Sequence, residues 1–549
     1  MNQTTIEAQL NKLLVHIQQG QVEAACNIAS DLSKKYPKID NIWYFWGIAL
    51  AMMGNAEESE KRFKQCLTLN SKHFQCYNNL GTLYEQQERY DQAQRQFEKA
   101  ISLNPHYAIA NYNLGNCHFR VKDWSGAISC YELALQGDPN YVKALNNLAL
   151  VYINISIPEK AMEYLEIALK LAPNDVEVLL NLGQANYLLG KDVEAENYYT
   201  QLSHIAPVLP QLHNNLALLY QWRQEFDKAE RSFRRAAEVD ANFIEAESNL
   251  SNLFLLQGRF KEGWYYNLFR PSIRDSDIKY SNELPQNLTG KAILIRQDQG
   301  LGDELIFMRY VETLKNLGAK VSYYCESKLK NILERTGIFL EVISHSNQKE
   351  YDATISVADL PYLLGKHTGN YTIPQPLSLE PRHELVEHLK TLLQALGPAP
   401  YIGLTWRAGV KGFNTLYKNI SFQDLKILLG KHEGTLISLQ RHPDFNETEE
   451  LSNVLGCPLH DYSYVNDDLE LSLALLSILD RYVAVSNTNT HLRESLRKPS
   501  VTLVSYPPDW RWLAQGETSP WAPNSLIIRQ NKNGSWTTQQ QKANPALAS

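Results

Sequence analysis

The first half of this 549-residue chain contains a repeat with a period of 34 residues, which is the spacing between Gly47 and Gly81. The small residue that marks it stands at Gly47, Gly81, Gly115, Ala149, Gly183, Ala217 and, with a looser fit, Ser251. A proline recurs at another phase, where it ends a helix because it lacks an N–H donor and clashes with the preceding turn; it stands at Pro37, Pro105, Pro139, Pro173 and Pro207. The period predicts stacked helix pairs that bury their apolar faces only against neighbouring pairs.

The second helix of each unit carries a small residue followed by a large apolar one. The small residues are Ala93, Ala127, Ala161, Ala195 and Ala229, and the large ones are Phe97, Tyr131, Leu165, Tyr199 and Phe233. Small residues let paired helices approach, and the large ones fill the remaining space. The pattern resembles the tetratricopeptide repeat, with about seven units over residues 1–270. It implies an α-solenoid, a superhelix with a long concave face.

An asparagine recurs two residues before the small position in six consecutive units: Asn79, Asn113, Asn147, Asn181, Asn215 and Asn249. Two residues turn a helix by about 200°, so these side chains point away from the packing seam. A carboxamide offers both a donor and an acceptor, which suits an extended peptide backbone of any sequence. The series resembles the asparagine ladder of O-linked N-acetylglucosamine transferases, and we predict that it binds a protein acceptor. The alternative is that these side chains brace neighbouring helices.

Composition narrows the function classes. The net charge of −7, with both signs interspersed, argues against a nucleic-acid-binding protein. The seven cysteines are scattered without a CxxC motif, which indicates a reducing compartment and no zinc or other metal site. The start of the chain lacks the apolar core of a signal peptide, and no apolar run approaches the ~20 residues of a membrane span. We therefore expect a cytoplasmic protein.

The period changes after residue 270. Residues 271–290 are interpreted as a linker, and short apolar runs then alternate with amphipathic helices, which is typical of parallel α/β units. The predicted strands are residues 291–296, 320–325, 352–357, 401–406, 435–440, 481–486 and 500–505. They form two successive Rossmann-like lobes, residues 291–395 and 396–530, and residues 531–549 form a loose polar tail. Open sheets of this kind bind ligands beyond the carboxyl ends of their strands.

Three groups of polar residues follow predicted strands. "QDQGLGDE" contains Gly300, Gly302 and Asp303 at a strand-to-helix turn, where glycine lets backbone approach a ligand. "TWRAGVKGFNTLYKNIS" supplies Arg407, Lys411 and Lys418, cations suited to a diphosphate. "SNTNTHLRESLRKP" begins a helix with hydroxyl, amide and backbone donors, which suit an anion. The alternatives are a capping role for Asp303, a solvated loop for the cations and a packed helix residue for His491.

The blocks "QGLGDELIFMRY", "GLTWRAG", "VSNTNTHL" and "YPPDWRWL" resemble, in the same order, the C-terminal domain of bacterial tetratricopeptide-repeat glycosyltransferases. That domain is similar to the heptosyltransferases, which are inverting GT-B enzymes. The resemblance covers residues 290–530 and implies an α-solenoid followed by a GT-B-like α/β domain of two Rossmann-like lobes, the second of which binds the donor.

The resemblance also implies roles for individual residues. Asp303 is the expected general base. The expected donor-binding residues are Gly300, Gly302, Arg407, Lys418, Ser486, Asn487, Thr488 and His491. The sequence departs from the family at Ser486 and Thr488, where the family carries Asp and Gly. Loss of that carboxylate leaves the identity of the donor nucleotide open.

We therefore predict an inverting protein O-glycosyltransferase that transfers a sugar from a nucleotide-activated donor to Ser or Thr of a protein held by the repeats. Flagellin is an acceptor that the resemblance suggests. Neither a cofactor nor a metal is expected, and the nucleotide sugar is a substrate. One rival is a scaffold whose repeats bind a partner while the transferase-like domain is inactive. Another is a transferase for a small-molecule or lipopolysaccharide acceptor, which would leave the six asparagines without a role.

Overall fold

The helices of the N-terminal half form consecutive pairs, as the repeat period predicts. The computed structural model describes residues 3–274, 276–325, 328–345, 349–409 and 418–536, and the chain divides into two units at Pro207. The helices of the first unit are α1 (Gln3–Gln18), α2 (Val22–Lys35), α3 (Asp40–Met52), α4 (Ala56–Leu69), α5 (Phe74–Gln86), α6 (Tyr90–Leu103), α7 (Ala108–Arg120), α8 (Trp124–Gly137), α9 (Val142–Asn154), α10 (Pro158–Leu171), α11 (Val176–Leu188) and α12 (Asp192–Ile205).

The recurring glycine is explained by the ring that packs against it. A Cβ atom added to Gly81 would lie 2.6 Å from the Phe97 ring, and one added to Gly115 would lie 2.6 Å from the Tyr131 ring. Both rings are fully buried. The aromatic side chain of one helix therefore rests directly on the backbone of its partner, and a larger residue at Gly81 or Gly115 would require that ring to move.

The second unit, residues 208–549, begins with four more repeat helices and a short one. They are α13 (Pro210–Trp222), α14 (Phe226–Val239), α15 (Ile244–Leu256), α16 (Phe260–Asn267) and α17 (Pro271–Arg274). Trp264 on α16 packs edge-to-face against Phe307, Trp510 and Trp521 of the α/β part, with ring centroids 5.4–5.5 Å apart. The end of the repeat region thus shares its core with the α/β part.

The segment predicted as a linker, residues 271–290, is packed in its described residues. It contains α17 and a residue that lies beside a strand: the backbone N–H of Ser281 donates to Thr354 O at 2.7 Å. Leu288 is 2% exposed and joins the core. This segment therefore belongs to the fold of the second unit.

The first sheet of the α/β part contains four parallel strands. They are β1 (Ala292–Arg296), β2 (Lys320–Tyr324), β3 (Glu341–Ile343) and β4 (Ala353–Ser356), in the spatial order β3-β2-β1-β4. The helices between and after them are α18 (Leu301–Phe307), α19 (Val311–Asn316), α20 (Lys330–Arg335), α21 (Leu360–Thr368) and α22 (His383–Leu396). A 3₁₀ turn at Met308–Tyr310 interrupts the single helix predicted after Asp303.

The second sheet contains six parallel strands: β5 (Tyr401–Thr405), β8 (Thr435–Ser438), β9 (Leu459–Asp461), β10 (Arg481–Val485), β11 (Ser500–Val504) and β12 (Ser525–Arg529). Two short antiparallel strands, β6 (Arg407–Ala408) and β7 (Lys418–Asn419), form a separate ribbon. The remaining helices are α23 (Phe422–Leu429), α24 (Glu447–Leu455), α25 (Leu469–Ile478) and α26 (Thr488–Ser495).

The order β12-β11-β10-β5-β8-β9 is that of a doubly wound sheet, in which the chain direction of strand addition reverses between β5 and β10. The carboxyl ends of these two neighbouring strands carry the segments that begin at Trp406 and Ser486. Ligands of open α/β sheets bind at this reversal point. Two parallel α/β sheets are thus present, as predicted.

Trp536, which falls in the predicted loose tail, is packed instead: it is 2% exposed and joins the core of the second sheet. Burial of its large apolar ring is favourable, while residues 532–534 before it are exposed. The rest of the predicted tail, residues 537–549, lies outside the described residues. None of the described helices combines the length and the hydropathy that a bilayer-spanning segment requires.

Candidate functional site

A cavity of about 590 Å³ opens where the predicted polar groups meet, and all of its lining residues belong to the second unit. The first turn of α18 contributes Leu301, Gly302 and Asp303. The end of β5 contributes Thr405 and Arg407, and the segment after β10 contributes Ser486, Asn487, Thr488, Asn489 and His491. Segments that are far apart in sequence therefore converge at the reversal point of the second sheet.

Asp303 lies at the cavity wall and forms an ion pair with Arg511. Arg511 Nε donates to Asp303 Oδ1 at 2.9 Å, and a second guanidinium nitrogen contacts the same oxygen. Both side chains are 16% exposed. The neighbouring carboxyl, Glu304, lies in the core against the Tyr323 hydroxyl, and burial raises its pKa to about 7. Asp303 is thus the carboxylate of this turn that faces the cavity.

Lys418 and Asp509 form a second ion pair. Lys418 Nζ lies 3.0 Å from Asp509 Oδ2 and donates to Ser486 Oγ at 3.1 Å. Burial alone would raise the pKa of Asp509, but Lys418 and Arg511 lower it to about 2. Ser486, which is 3% exposed, therefore occupies the place beside Lys418 where the resembled family carries an acid.

Arg407 lines the cavity, but its guanidinium already forms an ion pair with Glu447. Its Nε donates to Glu447 Oε1 at 2.9 Å and a terminal nitrogen donates to Glu447 Oε2 at 2.7 Å. The Trp406 indole donates to the same carboxylate at 2.7 Å. These bonds outweigh burial and lower the pKa of Glu447. A bidentate pair of this kind fixes the guanidinium in one plane.

The segment after β10 is a helix start held by its own side chains. Asn487 caps α26: its Oδ1 accepts from the Thr490 backbone N–H at 3.1 Å, and the Asn487 N–H donates to Thr490 Oγ1 at 3.4 Å. Asn487 Nδ2 donates to Val485 O at 3.0 Å. The predicted ligand role of Asn487 therefore competes with this structural one, while Thr488 also lines the cavity.

His491 lies on α26, 6% exposed, with its Nδ1 atom buried and without a hydrogen-bond partner among the described residues. Burial, and then the charges of Arg511 and Lys418, lower its pKa to about 3. The ring is therefore neutral at physiological pH. A Cβ atom added to Gly302 would lie 3.2 Å from its Cδ2 atom, a tight contact that the imidazole would have to relieve by a small shift, whereas Gly300 has open space around it.

The described lining of the cavity carries more positive than negative charge. It contains five cations and one carboxylate: Lys328, Arg407, Lys418, Arg441, Arg511 and Asp303. The two acids behind it, Glu447 and Asp509, reduce this excess without cancelling it. An anion entering the cavity would meet an attractive field. The predicted cation Lys411 lies outside the described residues.

Four of these residues were not predicted as site residues: Lys328, Arg441, Arg511 and Glu447. The "YPPDWRWL" block carries part of the family resemblance, but the resemblance assigns no role to the arginine between its two tryptophans. Arg511 is the residue that contacts Asp303. A charged residue inside a run of aromatic residues was the available signal.

Five of the six asparagines of the predicted ladder hydrogen-bond to the preceding repeat. The Nδ2 atoms of five of them donate to side chains at distances of 2.8–3.2 Å. In each case the acceptor lies 35 residues earlier; the pairs are Asn79–Tyr44, Asn113–Asn78, Asn147–Tyr112, Asn181–Asn146 and Asn249–Asn214. A leucine, Leu180, occupies that position before Asn215.

The alternative role, in which the asparagines brace neighbouring helices, is therefore the one that the amide nitrogens of these five residues fill. Asn181 is 5% exposed, whereas the other five are partly exposed. Within the described residues, no donor reaches the Oδ1 atoms of Asn113, Asn147 or Asn249. Each of these oxygens remains available to accept from a peptide N–H, so the acceptor-binding prediction narrows to one half of the carboxamide.

One group in the first unit could be mistaken for a metal site. The ligand atoms of Asp40, Cys66 and His73 lie within 4.8 Å of one another. However, His73 Nδ1 accepts from the Cys76 N–H at 3.2 Å and Nε2 lies 3.1 Å from Asn41 Oδ1. Both imidazole nitrogens therefore already have protein partners.

Comparison with known proteins identifies tetratricopeptide repeats in the N-terminal half. Models of this family match residues 78–142 and 146–210, residues 38–106, and residues 214–239. Protein FlbA of Caulobacter vibrioides is 25% identical over 316 residues, which cover 52% of each chain. The chain therefore spans about half the length of this curated relative.

Solved structures are similar to the repeats. Pseudomonas aeruginosa pilF is 18% identical with a TM-score of 0.36 and covers 40% of this chain and 96% of its own. YrrB, described as a tetratricopeptide-repeat protein with an unusual peptide-binding site, is 22% identical with a TM-score of 0.30 and covers 34% of this chain and 95% of its own.

Proposed function

We propose that the chain is an inverting protein O-glycosyltransferase of GT-B type, which transfers a sugar from a nucleotide donor to Ser or Thr of a protein. The observation that carries the proposal is the convergence of Asp303 with five cations on one cavity at the reversal point of a doubly wound sheet. Tetratricopeptide repeats bind proteins, which favours a protein acceptor over a small molecule or lipopolysaccharide. The resemblance of the α/β part suggests flagellin.

In this mechanism Asp303 accepts the proton of the acceptor hydroxyl as its oxygen attacks the anomeric carbon. The bond from that carbon to the donor phosphate breaks at the same time, and the nucleotide leaves with the bonding electrons. Lys418, Arg407 and the backbone donors at the start of α26 neutralise the charge that develops on the phosphate. No metal or other cofactor is part of the proposal, and the nucleotide sugar is a substrate.

The ion pair between Arg511 and Asp303 implies an order for donor binding and acceptor reaction. In the structure it pairs with Asp303, which holds the base away from a hydroxyl. Because Arg511 also lines the cavity, a bound diphosphate would compete for the guanidinium and release the carboxylate. The donor would then bind before the acceptor reacts, and the base would become available only when there is a sugar to transfer.

The test uses purified protein with UDP-, GDP-, ADP- and CMP-activated sugars and a flagellin acceptor. Released nucleotide and the mass added to the acceptor are measured. Asp303→Asn should lower transfer about 10²–10⁴-fold, while Asp467→Asn, at an exposed position outside the cavity, should not. Full transfer by Asp303→Asn would refute the assignment of the base.

The scaffold alternative also has an observation in its favour. Each cation expected to hold the donor phosphate already pairs with an acid: Arg407 with Glu447 and Lys418 with Asp509. If these pairs are permanent, no nucleotide will bind. Calorimetric titration with UDP, GDP, ADP and CMP separates the two functions, since binding of none of them, together with retained protein binding by the repeats, would favour the scaffold.

A further inference from the structure

A second, smaller cavity of about 210 Å³ lies in the same unit as the first. Its wall combines the last repeat helices with the α/β part; the lining includes Ser248, Asn252, Trp264, Tyr266, Arg270, Gln299, Phe307 and Trp510. Nothing in the mechanism above uses it. Small-molecule pockets have volumes of about 300–1,000 Å³, so this smaller cavity is suited to a single side chain.

The two cavities are separated by the same two short segments. Gln299 lines the small cavity, and Leu301 and Asp303, just after it in the turn, line the large one. Likewise Trp510 lines the small cavity and Arg511, the next residue, lines the large one. An occupant of the small cavity would therefore lie close to the general base.

The chemistry of the wall selects the occupant. Trp264 is 1% exposed, and its Nε1 atom has no hydrogen-bond partner among the described residues; the same holds for the buried Ser248 Oγ atom. An indole N–H can only donate, and leaving it unpaired is costly. The rings of Trp510 and Phe307, which stack at 15° with centroids 6.2 Å apart, contribute flat apolar surface. A planar group bearing an acceptor oxygen would satisfy both.

The charges around the small cavity disfavour an acidic side chain as its occupant. Arg270, at the edge of the cavity, is held at 2.5 Å by Asp298 and at 2.5 Å by Asp359. Its single positive charge is thus outnumbered by the two carboxylates around it. A negatively charged occupant would be repelled, whereas a neutral one would not.

We propose that this small cavity binds one neutral, planar side chain of the acceptor polypeptide, a carboxamide or a phenol, close in sequence to the hydroxyl that receives the sugar. This proposal rests on the proposed function, because it takes the bound polypeptide to be the one that receives the sugar. Gln299 and Asp303 are four residues apart, so their Cα atoms cannot be more than about 14 Å apart. An extended peptide spans that distance in about four residues. The anchored residue therefore lies within about four positions of the modified Ser or Thr.

The experiment measures peptide binding to the full chain without a donor. The probes are 13-residue peptides with a central Ser or Thr in a Gly/Ala background, in which one flanking position at a time carries Asn, Gln, Tyr, Ala or Asp. At one position within about four residues of the centre, Asn, Gln or Tyr should improve binding about fivefold over Ala, the value of one added hydrogen bond. Asp should bind no better than Ala.

Variants assign the preference to the cavity. Ser248→Leu fills it and should abolish the preference, whereas Lys261→Leu adds the same side chain at an exposed position of α16 and should leave it intact. Ser248→Ala removes only the hydroxyl and should reduce the preference in a chain with unchanged thermal unfolding. A flat profile in the wild type, or a preference that survives Ser248→Leu, would overturn the proposal.

A transfer assay with the same peptides separates this proposal from the proposed function. Peptide preference without sugar transfer would refute the glycosyltransferase and leave a side-chain site on a binding protein. Sugar transfer that is indifferent to the flanking residues would refute the small cavity as a subsite and leave the glycosyltransferase.

Discussion

Replacing Lys418 by Met should destabilise the second unit by removing the cation beside a buried carboxylate. Asp509 is 8% exposed, and its pKa of about 2 lies below the ordinary value of 3.8. A difference of roughly 1.8 units at about 1.4 kcal/mol each gives about 2.5 kcal/mol of stability from ionised Asp509. Arg511 shares in that effect, so the part lost with Lys418 is between about 1 and 2.5 kcal/mol.

The sign of the pH dependence follows from the lowered pKa. The stability is present above pH 3.8 and is lost as the pH falls through about 2, because the protonated carboxyl no longer needs the cation. Urea unfolding followed by tryptophan fluorescence at pH 7 should show the loss in Lys418→Met. In the Asp509→Asn background, the same substitution should cost little. An equal loss in both backgrounds would show that Lys418 acts through something other than this pair.

Three further outcomes are expected. Asn147→Ala removes two hydrogen bonds to the preceding repeat and should lower the unfolding free energy of the first unit by about 1–3 kcal/mol in urea titrations. His491 is neutral above about pH 3, so nucleotide affinity measured by calorimetry should have the same pH dependence between pH 5 and 8 in wild type and His491→Gln. Ser486 Oγ lies 3.1 Å from Lys418 Nζ, so Ser486→Asp puts a carboxylate beside this cation and should weaken nucleotide diphosphate binding in the same titration.

The repeats and the buried strands were predictable because each depends on local pattern. The predicted strand at residues 435–440 is β8 at Thr435–Ser438, and that at 500–505 is β11 at Ser500–Val504. In the two parallel sheets three strands were not predicted: β3, β9 and β12. All three lie at sheet edges, where one side lacks a neighbouring strand and the apolar run that signals a buried strand is short or interrupted.

The partners within the site could not be predicted in the same way. Asp303 and Arg511 are 208 residues apart, and Arg407 and Glu447 are 40 apart. Contacts between such positions depend on the fold of the whole unit, and no local pattern encodes them. The bracing of the asparagines is different, since its signal is visible in the sequence. An Asn or Tyr stands directly before the ladder position in several units, as at Asn78, Tyr112 and Asn146, and supplies the acceptor for the next unit.

The edge-to-face contacts of Trp264 determine where the chain can be truncated. A fragment that starts at residue 290, after the last helix of the repeats, would leave Phe307, Trp510 and Trp521 exposed to water as one apolar patch. A fragment that starts near Val208 would keep them covered. The smallest piece of this chain that could stay in solution and retain its chemistry therefore carries the last two helical hairpins as well.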